Sequence, residues 1–332
     1  MVGTAGASGA VSTAGSSGAV GAAGAAAGAG TGGAAAGAAG AASGGTSGNA
    51  AGGASGAGTA GAAGSGGAGG TTSGNCSKNA ISLSANGTGT ASDAAHARVS
   101  IDMMADLPIG NAHRTVEFWA YIKPTDWMGE KNEVYVYGSP MTANTTNTAF
   151  GLDFGTNTVM GMATNHATLN PYTNGSFTVD STADLGVTST AAQWLHVAMS
   201  WDGMSFKTYV NGELKITKTD AATMLATAST PLTMGCNPPI LNCFNGMFDE
   251  LRVWNVDRSA ADIKANFGKS LVGNEAGLVG YWKFDEAPGA ASAADSVTST
   301  GHTAHSGQLM AEMDAQKPTF VTPNPPAPIT CP

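Results

Sequence analysis

Charge is scarce in this chain of 332 residues: Asp, Glu, Lys and Arg make up 11% of it, and none precedes Lys78. Aromatic residues are sparser still, with none before Phe118. Residues 1–75 also lack proline and consist almost wholly of Gly, Ala, Ser and Thr. So little apolar side chain buries too little surface to offset the entropy of ordering, which predicts a disordered tail. As a flexible coil, that tail would span roughly 50 Å. Glycine falls on every third position from Gly3 to Gly24, except at Ser12. The missing prolines and the broken register at Gly28 and Gly30 argue against a collagen-like assembly, so the tract reads as a linker.

Other absences narrow the function. The charged residues all lie in residues 76–332, where 23 acids outweigh 14 bases for a net charge of −9. An acidic surface without a Lys or Arg cluster repels phosphate backbones, so no nucleic-acid partner is expected. No apolar run approaches the ~20 residues that span a bilayer, so no transmembrane segment is expected. Met1 is not followed by the basic and apolar regions of a signal peptide.

Cysteine is limited to Cys76, Cys236, Cys243 and Cys331, an even set without a CxxC pair to suggest zinc. Four cysteines allow three connectivities. The simplest joins Cys236 to Cys243 around the segment NPPILN, and Cys76 to Cys331 across the folded region; the alternative is four free thiols. Disulfides persist in oxidising compartments, so the expected location is extracellular or the outer cell surface. A signal or lipid anchor would then lie upstream of Met1, with the Gly/Ala tract as spacer.

What is present reads as short strands punctuated by turn residues, the pattern of an all-β sandwich. In RTVEFWAYIKP, Val116, Phe118, Ala120 and Ile122 point one way while Glu117, Trp119 and Tyr121 point the other. EVYVYG, QWLHVAMSW, FKTYVNGELKIT and FDELRVWN are further strands. AFGLDFGTNTVMGMAT reads as a hairpin reversing at Thr156–Asn157. Asp202–Gly203 and Asn211–Gly212 make tight turns, since such pairs accept positive φ cheaply. Residues 141–190 form extended loops or an extra hairpin. One helix is predicted, with Ser259 as N-cap and Ile263 and Phe267 on one face.

Four pieces in order, VEFWAYIKP, WLHVAMSWDG with YVNG, FNGMFDELRVWNVDRS with its helix, and GLVGYWKFDEAPG, resemble one family across about residues 80–322. That family is the LamG-like, concanavalin A-like jelly roll of many bacterial exported proteins. The resemblance implies a two-sheet antiparallel jelly-roll sandwich over residues 76–332, behind the linker of residues 1–75. It also implies that Trp194, Trp201, Phe118 and Phe248 pack in the core and that His196 is structural. Related domains often hold Ca²⁺ through carboxylate and backbone oxygens. Asp249 is the matching candidate ligand, with Asp285 and Asp295 secondary; the plainer reading makes them solvated or ion-paired strand-end acids.

Sugar binding is the expected activity. Tyr135 and Tyr137 share a strand face, and Trp127, Tyr172 and Trp254 are further platforms on which sugar C–H groups could stack. The competing reading packs these rings between the sheets. Catalysis is not expected. The superfamily's E-x-D-x-x-E strand is missing, no GxSxG elbow occurs, and His302 and His305 stand in a loop without further ligands. Asp153 and Glu133 are the one acid pair that could face each other. The sequence therefore reads as a non-catalytic, exported or surface-tethered module for a polysaccharide or glycoprotein. The alternative is an adhesion domain docking on another envelope or matrix protein.

Overall fold

A computed structural model describes residues 76–83, 97–103, 105–122, 132–138, 148–159, 162–172, 183–188, 192–219, 224–236 and 243–332. The expected linker over residues 1–75 and the candidate Trp127 lie outside them. The chain opens with strands β1 (Ala80–Leu83), β2 (Arg98–Ile101), β3 (Arg114–Ile122), β4 (Asn132–Tyr137), β5 (Phe150–Val159), β6 (Met162–Tyr172) and β7 (Ala183–Thr188). Next come β8 (Gln193–Trp201), β9 (Ser205–Val210), β10 (Glu213–Thr219), β11 (Leu232–Met234), β12 (Gly246–Trp254) and helix α1 (Ala260–Asn266). The last strands are β13 (Leu278–Trp282), β14 (Ser292–Ala293), β15 (Gly307–Met310) and β16 (Thr319–Val321).

These strands form two antiparallel sheets, the jelly-roll sandwich that the motif order implied. The first runs β10-β9-β8-β3-β12-β1-β16, with β13 beside β12. The second runs β14-β15-β2-β11-β4-β5-β6-β7. Period-two alternation explains how they close on each other. Val116, Phe118, Ala120 and Ile122 of β3 meet Tyr135 and Tyr137 of β4 and Phe150, Leu152 and Phe154 of β5 in one buried cluster. Phe118 meets Tyr135 edge-on at 5.8 Å, and Phe150 stacks on Phe206 at 5.5 Å. Each such side chain contributes about 1.5–3 kcal/mol through burial.

The alternation of β3 also predicted a second, outward face, yet the structure buries nearly all of this strand. Helix α1 and the C-terminal residues lie over that face. Trp119 and Trp194 pack there with Ala80, Ala327 and Ile329, so Trp194 belongs to this outer cluster instead of the core between the sheets. The indole N–H of Trp119 donates to the Phe267 carbonyl, and that of Trp194 to the Pro325 carbonyl, both at 2.9 Å. Ser259 caps α1 as expected, its hydroxyl oxygen accepting the Asp262 N–H at 3.1 Å.

The two expected turns form. Asn211 and Gly212 both take positive φ, 49° and 75°, as a two-residue hairpin requires. The hairpin expected at Thr156–Asn157 does not: β5 continues through those residues to Val159 with a register shift, and the chain reverses before Met162. The β-branched Thr156, Thr158 and Val159 favour the extended strand. Residues 150–172 thus form the extra hairpin, with β7 paired at its edge. Cys76 is bonded to Cys331 and Cys236 to Cys243, the simplest of the three connectivities.

Candidate functional site

The second sheet presents its outer face through residues that alternate with the core. On β5, Phe150, Leu152 and Phe154 enter the core, which leaves Gly151, Asp153 and Gly155 on the other side. Cross-strand register extends that face. Gln308 pairs with Ser100, Ser100 with Thr233, Thr233 with Val136, Val136 with Gly151, and Gly151 with Tyr172. The neighbouring row pairs Glu133 with Asp153 and Asp153 with Asn170. By register, Glu133, Asp153, Asn170 and Tyr172 occupy positions on one side of the sheet, in rows that also hold Ser100, Thr233, Val136 and Gly151. Of these positions, Val136 and Asp153 are buried, while Ser100 and Thr233 are partly exposed and can meet hydroxyls.

Among the described residues, the one expected sugar platform with a register position on this face is Tyr172. Tyr135, Tyr137 and Trp254 are 0%, 1% and 0% exposed, which corrects their assignment to ligand binding. Tyr135 and Tyr137 point into the core because their register partners on β5 are Leu152 and Phe150. The Tyr137 hydroxyl accepts from Arg114 at 3.1 Å and donates to the Pro108 carbonyl at 3.2 Å. Burial pushes that hydroxyl up to about 12 against the pull of Arg114. Trp254 lies beneath the loops after α1 with Leu271, Leu278, Tyr281 and Val297, and its indole donates to Glu117 at 3.0 Å. Sequence reasoning missed Gly151, Asn170, Ser100 and Thr233. Their signal was the alternation of small residues with bulky ones in FGLDF.

Residues 93–264, just over half the chain, match the profile of the concanavalin A-like lectin/glucanases superfamily. The chain belongs to that superfamily. Among solved structures, its fold is similar to that of a candidate carbohydrate binding protein from Bacteroides ovatus. That pair has 17% identity and a TM-score of 0.50, covering 75% of this chain and 61% of the other. The SAP-like pentraxin of Limulus polyphemus aligns at 15% identity and a TM-score of 0.42, over 57% of this chain and 81% of its own. The CBM40 of the Ruminococcus gnavus IT-sialidase aligns at 14% identity and a TM-score of 0.37, over 57% and 97%. The chain thus spans 61% of the length of the first of these, and at such identities the likeness is one of fold. No curated protein matches the chain.

This lectin/glucanase domain keeps its other acids for its own architecture. Asp249 is buried; its carboxyl accepts from the Ser77 hydroxyl at 2.5 Å and the Glu250 N–H at 2.9 Å. Desolvation, with the Glu250 charge next, raises that carboxyl well above its ordinary range. Asp285 accepts the N–H groups of Lys78 and Asn79 at 2.7 and 3.1 Å, fastening the approach to β1. Asp295 takes the N–H groups of Tyr281, Val297 and His305 and faces the His302 ring at 2.8 Å. The expected calcium ligands Asp249, Asp285 and Asp295 are thus each engaged by protein donors. No group of three or more His, Cys, Asp or Glu among the described residues is placed to hold a metal ion.

His302 and His305 are likewise fastened. His305 lies 2.6 Å from Asp106 and donates to the Asp102 carbonyl at 3.0 Å. His196 is buried between β3 and α1, 3.5 Å from Glu117 and edge-on to Trp119. Glu117 also meets Arg252, which pairs with Glu250 at 2.7 Å on its other side. Tyr281 donates to Glu250 at 2.5 Å, closing a buried polar layer under the helix. A bulge between Asp249 and Arg252, with Glu250 at φ 52°, sets Glu250 beside the guanidinium.

Proposed function

We propose that residues 76–332 act as a non-catalytic binding module for a polysaccharide or a glycoprotein, on an exported or surface-tethered protein. The observation that carries this reading is the outer face of the second sheet, where Glu133, Asp153, Asn170 and Tyr172 share one side around Gly151. Polar residue types beside an aromatic one at neighbouring register positions suit a glycan, whose hydroxyls need oriented partners and whose C–H patches stack on rings. The superfamily match and the carbohydrate-binding description of the Bacteroides ovatus neighbour support it. Two disulfides support export. Among the described residues, no helix is long and apolar enough to cross a membrane.

Glu133 and Asp153 are direct register partners on neighbouring strands. Asp153 is only 8% exposed and already engaged within the protein, which argues against its reaching a scissile bond. A second reading, docking on an envelope protein, draws on another surface. Asn111 accepts the N–H groups of Trp201 and Leu225 and donates to Gly203, gathering three loops. Beside these contacts stand Ile109, Met204 and Met224, 49%, 51% and 67% exposed.

Binding of the full chain to a glycan array, with calcium and with EDTA, tests the proposal. Selective binding that Tyr172→Ala weakens supports the glycan reading, and loss in EDTA would add calcium assistance. A blank array in both buffers overturns it in favour of protein docking.

A further inference from the structure

We propose that the Cys76–Cys331 disulfide lets this domain sit within a chain under tension without being unfolded by it. The order of the first sheet creates the need. β1 and β16 are antiparallel neighbours, with Ala80 opposite Val321 and Ser82 opposite Thr319. The chain therefore enters β1 and leaves β16 at the same end of the sheet. Pulling the flanking segments apart would open this ladder from the Ala80–Val321 pair inward, one hydrogen bond at a time. Bonds loaded in sequence resist far less than bonds loaded together. β16 is also short and lies at the sheet edge with β1 as its partner.

The disulfide stands across the mouth of that opening. Cys76 precedes β1 and Cys331 follows β16, with Cα atoms 5.1 Å apart and a sequence separation of 255. Tension arriving from residues before Cys76 passes through the sulfur–sulfur bond to Cys331. It never enters the intervening fold. Hydrogen bonds hold the two cysteines in register for this role. Cys76 N–H donates to the Ile329 carbonyl, Thr330 N–H to Gly268, and Ser270 N–H to Thr330, each at 2.9 Å. Burial of Ala327 and Ile329 against Trp119 and Trp194 anchors the same segment from below. The inference rests on the disulfide and the strand order alone, so it stands or falls separately from the glycan reading.

Single-molecule stretching of the full chain, held at Met1 and Pro332, tests it. The oxidised protein is expected to show no unfolding step from the segment between the cysteines, up to forces that unfold ordinary β domains. Dithiothreitol, which converts the cystine to two thiols and itself becomes a cyclic disulfide, is then added to the same molecules. Low-force steps totalling roughly 900 Å should appear, because a 255-residue span is released at about 3.6 Å per residue. Cys331→Ser should show those steps without reductant. Using each wild-type molecule before and after reduction keeps the result valid even where the variant folds poorly. Steps of that total length in the oxidised wild type would overturn the proposal, as would a reduced chain that resists as strongly as the oxidised one.

Discussion

Glu117 on β3 and Arg252 on β12 are cross-strand partners whose charged groups lie 3.5 Å apart, both buried. Arg252 also lies 2.7 Å from Glu250, so one guanidinium serves two carboxylates under α1. Its N–H groups also reach the carbonyls of Asn266 and Lys269 at the end of the helix. Arg252→Met should therefore cost about 3–5 kcal/mol, because it strands two buried acids. Chemical denaturation measures this directly. A loss below 1 kcal/mol would mean that the acids find other partners.

The same layer sets an acid response. Desolvation, the largest influence, lowers the His196 pKa from its ordinary 6.5, despite Glu117 beside it. The unfolded chain then binds the proton first, so His196 costs stability as pH falls through about 6.5. Desolvation raises the Glu117 carboxyl, but His196 and Arg252 outweigh it and bring it from 4.5 to about 2. Its contribution is present above pH 4.5 and fades between 4.5 and 2. Melting curves of wild type and His196→Gln should separate by a margin that shifts against the wild type between pH 8 and 5. A constant margin would show that His196 does not titrate on unfolding.

Asp249 offers a test of calcium. Its carboxyl serves Ser77 and Glu250, so Asp249→Ala should cost about 1–3 kcal/mol equally in calcium and in EDTA. Asp249→Asn should be milder at pH 7, since the raised pKa means that burial already disfavours the charged form. A loss seen only in calcium would identify Asp249 as an ion ligand.

The two disulfides should differ in worth. Cys331→Ser opens a closure of 255 residues and Cys243→Ser one of 7. Chain entropy then predicts losses of about 5 and about 2 kcal/mol. Comparing the denaturation midpoints of the two variants gives the order, and an inverted order would refute the entropic account here.

On the second sheet, Tyr172→Ala should weaken glycan affinity by about 0.5–1.5 kcal/mol, the worth of one aromatic contact. Tyr137→Phe, in the core, should leave affinity unchanged while costing stability through its two hydroxyl partners. Isothermal titration and thermal melts separate the two effects.

Much of this was legible in the chain. Period-two runs such as Val116 to Ile122, the Asn211–Gly212 turn and the Ser259 cap are local, and each forms as read. The LamG-like motif order carried the architecture, and cysteine position carried the disulfides. The aromatic assignments failed for a reason of degree. Alternation tells which residues of a strand share a face, but not which face the partner sheet covers. Tyr135 and Tyr137 do share a face, and it is the buried one.

Local pattern and composition, which depend only on neighbours in the chain, therefore determined most strands, the Asn211–Gly212 turn, the helix cap and the fold class. Register across β4, β5 and β6 decided the candidate site, because the positions of Glu133, Asp153, Asn170 and Tyr172 come together only when those strands pair. Packing of α1 and the C-terminal residues decided the rest. They cover the outer face of β3 and make Glu117, Trp119 and His196 a second buried layer. Such coverage depends on contacts distant in sequence, which no local periodicity encodes.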